Sequence, residues 1–379
     1  MNKCYLLLLL AAAGFMACGQ HGKKGNTTAN SADSTQAFTT TPVAAPYFYI
    51  QLKGALGDQM VTMQLLKTGP DIYRGSYVYD RVGEPINIWG SSDSSKQQLT
   101  LYEDSRSDEE TTFHGRLDST GNFAGTWRGN GTSYQFILHP DFSNAIHFQV
   151  YYAKDSAALL PNAPQSPWGE ATNSIIWPAP GTNAGTAALI KNAISGKVPA
   201  TDPQQLVKRS IDSFLAGYKG SITGMDSATV QHQAGSPTWN WTSEGDMKVV
   251  WNQYPLLSLE YFGYDFTGGA HGNGGATHQV LDLDKEKVLM LDDIFKGDYK
   301  EVLTHELELA FHRTYRTDQP IREMLLVDRI EPNNNFILTN KGIVFSYTPY
   351  EIGPYAMGQV NLFVPFARLQ EVLKTDYSK

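Results

Sequence analysis

The sequence predicts an α+β protein in two parts. A small all-β barrel or sandwich spans residues 46–141, and an α+β domain, an antiparallel sheet with packed helices, spans residues 142–375. Two observations carry this. The first part is filled by short alternating runs separated by Gly, Asp and Ser turns, and it repeats one strand pattern. After residue 185, apolar residues recur at helical spacing behind recognisable N-terminal caps, interleaved with further alternating runs.

In the first part, Phe113-His114-Gly115-Arg116-Leu117 and Phe123-Ala124-Gly125-Thr126-Trp127 share one order: aromatic, any residue, Gly, any residue, large apolar. The intervening Asp118-Ser119-Thr120-Gly121-Asn122 is a turn, so the pair reads as a hairpin. Tyr73-Arg74-Gly75-Ser76-Tyr77 is a third copy. Alternate side chains share a strand face, so Tyr73, Tyr77 and Tyr79 line up. A strand glycine lets the strand bend or a neighbouring ring lie flat. The stripe reads as core; exposed, it would be a sugar platform.

Residues 146–152 read as a strand. Pro161, Pro164, Pro167, Pro178 and Pro180 follow within twenty residues. Proline lacks a donor and resists helix and ladder alike, which predicts an extended, surface-hugging segment pinned by Trp168 and Trp177. Residues 186–195 suit a helix with Leu189, Ile190, Ala193 and Ile194 on one side. Asp202-Pro203 places an N-cap before a proline at the first helical position, and Leu206, Val207, Ile211, Phe214, Leu215 and Tyr218 then keep helical spacing. Residues 249–266 supply strands, and 277–283 with 288–291 form a hairpin. Asp298 with Glu301 reads as a capping box opening a helix that buries Tyr299, Val302, Leu303, Leu307 and Ala310. Residues 336–338 and 343–347 pair, 359–364 is a last strand, and 365–373 a last helix.

The N-terminus carries a different message. Lys3 gives a positive start, residues 5–17 are an apolar run, and Phe15-Met16-Ala17-Cys18 resembles the cleavage site of bacterial lipoproteins. The run is shorter than the roughly 20 residues that span a bilayer, so it reads as a cleaved signal with lipidation at Cys18. Residues 19–45 read as a tether, too poor in apolar surface to order a chain. The expected location is the cell envelope, lipid-anchored at the periplasmic face or cell surface. The chain has 379 residues and two cysteines, Cys4 and Cys18. Cleavage removes one and the lipid consumes the other, which excludes thiol catalysis and disulfides. Loss of Lys3 and no acid takes the net charge from -8 to -9, the opposite of a nucleic-acid footprint.

The most unusual stretch is Thr267-Gly268-Gly269-Ala270-His271-Gly272-Asn273-Gly274-Gly275. Its glycines permit positive φ and close approach to the backbone. A phosphate cradle needs a following helix, and the next residues read as a strand. The loop therefore presents His271 and Asn273 as recognition residues, or else its glycines only make turns. Asp265, His271, His278 and Asp282 have ligand chemistry suited to Zn²⁺, but their convergence depends on the hairpin register. His305-Glu306 lacks the second histidine of a zinc-protease helix because position 309 is leucine. Glu301, His305, Glu308 and His312 share a stripe that reads as a solvated face. Asp292-Asp293 reads as helix capping, and no Gly-x-Ser-x-Gly elbow occurs. No metal and no cofactor is expected. The second unusual stretch, residues 347–358, holds Tyr347, Tyr350 and Tyr355 with two prolines and two glycines, a stiff aromatic loop with the properties of a binding surface.

Gly268-Gly269-Ala270-His271-Gly272-Asn273, then Leu291-Asp292-Asp293-Ile294-Phe295, then Gly342-Ile343-Val344-Phe345-Ser346-Tyr347 running into Tyr350-Glu351-Ile352-Gly353-Pro354-Tyr355-Ala356 resemble a domain family of unknown function. That family is shared by the extracellular region of the anti-sigma factor RsiV and the N-terminal module of the peptidoglycan deacetylase PdaC. The similarity covers residues 143–375. It implies an α+β fold outside the cytoplasm. In RsiV the domain is a lysozyme receptor; in PdaC it accompanies a separate catalytic domain. The expectation is a non-catalytic envelope lipoprotein binding a glycan, peptidoglycan or a lysozyme-like protein through His271, Asn273, Tyr350, Glu351 and Tyr355. The alternative is a glycan hydrolase using His271 with a nearby carboxylate.

Overall fold

Eight antiparallel strands close into a barrel: β1 (Phe48–Leu56), β2 (Gln59–Gly69), β3 (Ile72–Tyr79), β4 (Ile86–Ser92), β5 (Gln98–Glu103), β6 (Thr112–Leu117), β7 (Phe123–Gly129) and β8 (Thr132–Pro140). Closure is made by β1, which pairs with β2 along its length and with β8 from Leu52↔Pro140 to Leu56↔Phe136. Of the two architectures open from the sequence, the barrel is the one formed. The computed structural model describes residues 42–93, 98–104, 109–163, 165–196, 202–226, 230, 236–315, 321–374 and 377. Cys18, the signal and most of the tether lie outside them.

The barrel is filled rather than hollow. Ile50, Leu52, Met63, Leu65, Tyr77, Phe113, Phe123 and Phe136 are buried together. The repeated glycines show why the pattern recurs. Gly115 and Gly125 are cross-strand partners, and a Cβ on Gly115 would meet the Phe136 ring at 2.7 Å. The ring occupies the space that side chains would take. Tyr73 and Tyr77 are buried in this core, so the tyrosine stripe is packing.

From the barrel the ladder continues through a single pair, Phe48↔Gln149, into β9 (Phe148–Ala158), β10 (Trp168–Pro178), β11 (Trp241–Gln253), β12 (Leu256–Phe266), β13 (Asn273–Asp282) and the short β14 (Lys287–Val288). Neighbours are antiparallel except β10 and β11, which run parallel. The segment expected to hug the surface is therefore corrected at 168–178. It is a central strand between β9 and β11, with Trp177 buried. The prolines flank it, Pro167 just before and Pro178 as its last residue, where they break no interior ladder.

Helices α1 (Ala184–Ser195) and α2 (Pro203–Gly220) pack one face of this sheet through Ile190, Val207 and their neighbours. Asn183 Oδ1 caps α1 at Gly185 N (2.9 Å), and Asp202 Oδ1 caps α2 at Gln204 N (2.9 Å). The opposite face carries a three-stranded sheet, β15 (Phe336–Leu338), β16 (Gly342–Tyr347) and β17 (Val360–Pro365). Adjacent valines on β11 separate the faces: Val249 joins the helix-side core and Val250 packs on Ile337 and Val344. Helices α3 (Leu291–Ile294) and α4 (Tyr299–Thr314) share a core with the small sheet. The fold is thus broadly α+β, yet mostly β, with four α-helices among the described residues.

Two further expectations are corrected. Asp298 makes no side-chain cap bond to α4; Glu301 instead meets Arg329 at 2.8 Å, so the capping box does not form. Of residues 365–373 only Phe366–Arg368 winds, as a 3₁₀ turn, because the chain folds back to bridge Phe295 with Leu373.

The glycine at 125 is a packing requirement. Its Cβ would strike the His114 carbonyl and sit against Gly115 Cα, both backbone atoms that cannot swing aside. Gly125→Ala should lose about 1–3 kcal/mol, read as a lower urea midpoint, whereas Thr126→Ala beside it should leave the midpoint nearly unchanged.

Candidate functional site

The two unusual stretches meet at the surface. Between β12 and β13, Gly268 and Gly269 take φ of 96° and 95°, the region that favours glycine. At Gly272 any side chain would collide with Tyr264, so Tyr264 packs directly on the loop backbone. His271 is exposed, and its Nδ1 donates to the Gly272 carbonyl at 2.8 Å. Its ring stacks on Tyr355 with centroids 4.1 Å apart and planes 21° apart. Tyr355 in turn lies 5.8 Å from Tyr350, tilted 32°. Tyr350 is 53% exposed and sits at φ 72°. Three rings from two loops thus form one ladder with an open end.

The other two expected residues behave differently. Asn273 is exposed as the first residue of β13, opposite Asp265. Glu351 is a staple: one carboxylate oxygen accepts from Thr348 N (2.9 Å) and Thr348 Oγ1 (3.2 Å), the other from Asn333 Nδ2 (2.7 Å). It fixes the turn that presents Tyr350.

What holds the loops together is the edge of β13. Strand β14 covers only its far end, at Leu281 and Asp282. At Ala276, Gln359 behaves as a strand would: its Oε1 accepts from Ala276 N (3.0 Å) and its Nε2 donates to Ala276 O (2.9 Å). Asn335 Nδ2 donates to the same carbonyl (3.0 Å), and Asn335 Oδ1 accepts from His278 N (2.8 Å). Sequence reasoning missed both amides, since nothing local marks a side chain that completes a ladder.

Beneath the edge is a charge network that was also missed. His278 Nδ1 meets Asn335 Oδ1 at 2.8 Å and its Nε2 meets Glu260 at 3.0 Å. Lys248 Nζ reaches Glu260 at 2.9 Å and donates to Asn87 Oδ1 of the barrel at 2.9 Å. Burial pushes the Glu260 carboxyl up, but Lys248 and His278 outweigh it and hold it down at about 2. The available signal was a charged residue on the inward phase of otherwise apolar strands.

The proposed metal groupings do not converge. His278 is committed to this network, His271 to the stack, and Asp282 accepts from Tyr377 Oη at 3.0 Å. Along α4, Glu301 and Glu308 pair with Arg329 and Arg322. Among the described residues no cluster of three His, Cys, Asp or Glu is placed to hold an ion. Asp293 caps α3 by accepting from Met290 N at 3.0 Å, as its position suggested.

Comparison with known proteins matches two stretches of the sequence to family profiles. Residues 182–274 match the one described as Deacetylase PdaC, and residues 292–367 match a protein family of unknown function, DUF3298. His271 and Asn273 lie in the first match, and Tyr350, Glu351 and Tyr355 in the second. The barrel lies in neither. Peptidoglycan-N-acetylmuramic acid deacetylase PdaC of Bacillus subtilis (strain 168) is 24% identical over 138 residues, which are 35% of this chain and 29% of that enzyme. The chain thus spans less than a third of that relative. The crystal structure of a DUF3298 family member from Bacteroides fragilis aligns with a TM-score of 0.55 at 26% identity, covering 61% of this chain and 95% of that one. The resemblance read from the three motifs is borne out.

The network sets a testable acid dependence. Glu260 titrates near 2 when folded against 4.5 ordinarily, so its contribution is complete above about pH 4.5 and is lost as pH falls toward 2. Lys248→Met leaves the buried carboxylate with His278 as its remaining partner and should cost about 1–3 kcal/mol at pH 7. Adding Glu260→Gln should recover part of that loss. Denaturant unfolding of the single and double variants checks both signs.

Proposed function

We propose that this chain is a non-catalytic cell-envelope lipoprotein, lipid-anchored at Cys18, that binds cell-wall glycan at the His271–Tyr355–Tyr350 ladder. The observation that carries this is the stacking of His271 on Tyr355 at 4.1 Å across two loops. It builds a surface of flat faces and hydroxyls whose order is already fixed before a ligand arrives. Aromatic faces offer apolar area and a polar tip at small entropic cost, which suits the C–H faces and hydroxyls of a sugar chain. The relative from Bacillus subtilis is named for action on peptidoglycan, which favours that glycan.

Two other readings have specific support. The net charge of -9 for the cleaved chain favours a basic protein partner through electrostatic steering, as a lysozyme-like partner would be. The hydrolase reading has less. His271 Nδ1 bonds its own neighbour's carbonyl, and the Glu351 oxygens are both engaged by Thr348 and Asn333. General acid and base need reach to a reacting atom, and these two groups are held by local contacts instead.

Sedimentation with purified peptidoglycan at low salt should retain the wild-type protein. Tyr355→Ala should weaken retention about tenfold, the scale of an interfacial aromatic anchor, without shifting thermal unfolding. Retention of lysozyme but not peptidoglycan would transfer the ladder to a protein partner. Release of soluble sugar that stops in His271→Ala would establish hydrolysis in its place.

A further inference from the structure

On the helix side of the second sheet lies a cavity of about 330 Å³, bounded by the end of α1, by α2 and by the strands. Ile175, Leu206, Met247 and Leu259 give it apolar walls. Asn173 and Tyr261 also line it, and Asn173 is only 6% exposed.

Asn173 is oriented by its neighbours. Its Nδ2 donates to Ser210 Oγ at 2.7 Å, and Ser210 spends its proton on the Val207 carbonyl at 3.0 Å. Ser210 can therefore only accept, which fixes the amide nitrogen on the α2 side and turns Oδ1 away. That oxygen is buried and has no hydrogen-bond partner among the described residues. Buried acceptors are rarely left so.

The residue beneath this oxygen has no side chain. Asn173 is the register partner of Gly245. A Cβ at Gly245 would lie 2.5 Å from Asn173 Oδ1 and 3.0 Å from Tyr261 Oη. The Asn173 acceptor and the Tyr261 hydroxyl thus lie close together over Gly245, and both residues border the apolar wall of the cavity. Gly263, the partner of Gly245 on β12, has only the Tyr261 ring over it, at 3.6 Å.

The complementary group has an N–H for Asn173 Oδ1, an oxygen to accept from Tyr261 Oη, and a small apolar end. A secondary amide bearing a methyl has all three. An ammonium would have to be desolvated against the apolar wall, and a lone hydroxyl would leave that wall unfilled. The volume stands at the low end of small-molecule sites, about 300–1,000 Å³, suited to a single ring. We infer that this cavity receives the acetamido group of an N-acetylated amino sugar. This site is separate from the ring ladder and does not rest on it.

The test is saturation-transfer NMR and calorimetry of the full chain with N,N′-diacetylchitobiose and with its de-N-acetylated counterpart. The expected result is transfer strongest at the acetamido methyl and at least tenfold weaker binding of the deacetylated sugar. Gly245→Ala, whose new methyl would lie 2.5 Å from Asn173 Oδ1 and displace it, should lose at least tenfold in affinity. Tyr261→Phe, a partly exposed position where the fold is secure, should lose several-fold. Tyr355→Ala should leave the methyl signal intact, which separates this site from the ladder. Equal binding of both sugars overturns the inference. So does loss in Tyr355→Ala with Gly245→Ala unaffected, or a crystal soaked with the sugar showing only an ordered water on Asn173 Oδ1.

Discussion

An uncovered strand edge is the constraint around which the second half of the molecule is arranged. Only the short β14 lies beyond strand β13 in the long sheet, and the outward N–H and C=O groups of β13 at Ala276 and His278 need partners if they are to be buried. A further strand would satisfy them and extend the sheet. Gln359 and Asn335 do so with side chains instead. Gln359 also donates to Ser346 Oγ on β16 at 2.7 Å, so one amide ties the edge to the small sheet. Because Gln359 precedes β17 and the aromatic loop precedes Gln359, fixing that amide fixes where Tyr350 and Tyr355 stand. The ring ladder follows from the way the edge is closed.

The charges below the edge extend this logic toward the barrel. Asn87, Lys248, Glu260, His278 and Asn335 form a continuous polar path from β4 to the start of β15. Buried ion pairs add little net stability relative to apolar packing, and breaking one costs much. Here the path crosses two packing seams that apolar contacts alone would leave free to slide. A second buried carboxylate behaves in the opposite sense. Asp246 accepts from Ser174 Oγ at 2.8 Å with Arg74 at 3.6 Å, yet burial outweighs these contacts and pushes its carboxyl up to about 6. Its charged form is therefore a cost above that pH, relieved as pH falls toward 3.8, whereas Glu260 is an asset lost only in stronger acid.

How much of this was legible depended on whether the cause was local. The Gly115 and Gly125 hairpin could be read because its two strands and turn fit between Thr112 and Gly129 and repeat a pattern. The caps at Asp202 and Asp293 could be read because a cap bond spans three residues or fewer. The Asp298 box failed although its spacing was correct, since Arg329, far along the chain, took Glu301. Proline density misled at 168–178 because composition counts prolines without locating them relative to the ladder. Among the site residues, His271, Tyr350 and Tyr355 stood out as unusual loop composition. Gln359 to Ala276 spans 83 residues and Asn335 to His278 spans 57, and no window on the chain reveals such pairs. The orphaned Asn173 oxygen was equally hidden, because only the fold shows that Ser210 leaves it no donor.

Strand β12 shows how these parts are kept distinct. Glu260 points into the charge network, Tyr261 borders the helix-side cavity, and Tyr264 packs on the glycine loop beside His271. Successive side chains on a strand alternate faces, so Glu260 and Tyr264 share one face and Tyr261 takes the other. A slip of one residue against β11 would exchange them, burying a tyrosine among charges and turning a carboxylate onto Met247 and Ile175. Register is strongly specified where both faces are committed. The cross-strand pairs Gly245↔Gly263 and Glu260↔His278 each forbid the slip for a different reason, one steric and one electrostatic. The ladder surface and the cavity are thus two readings of one strand's alternation, held in phase by the same pair of neighbours.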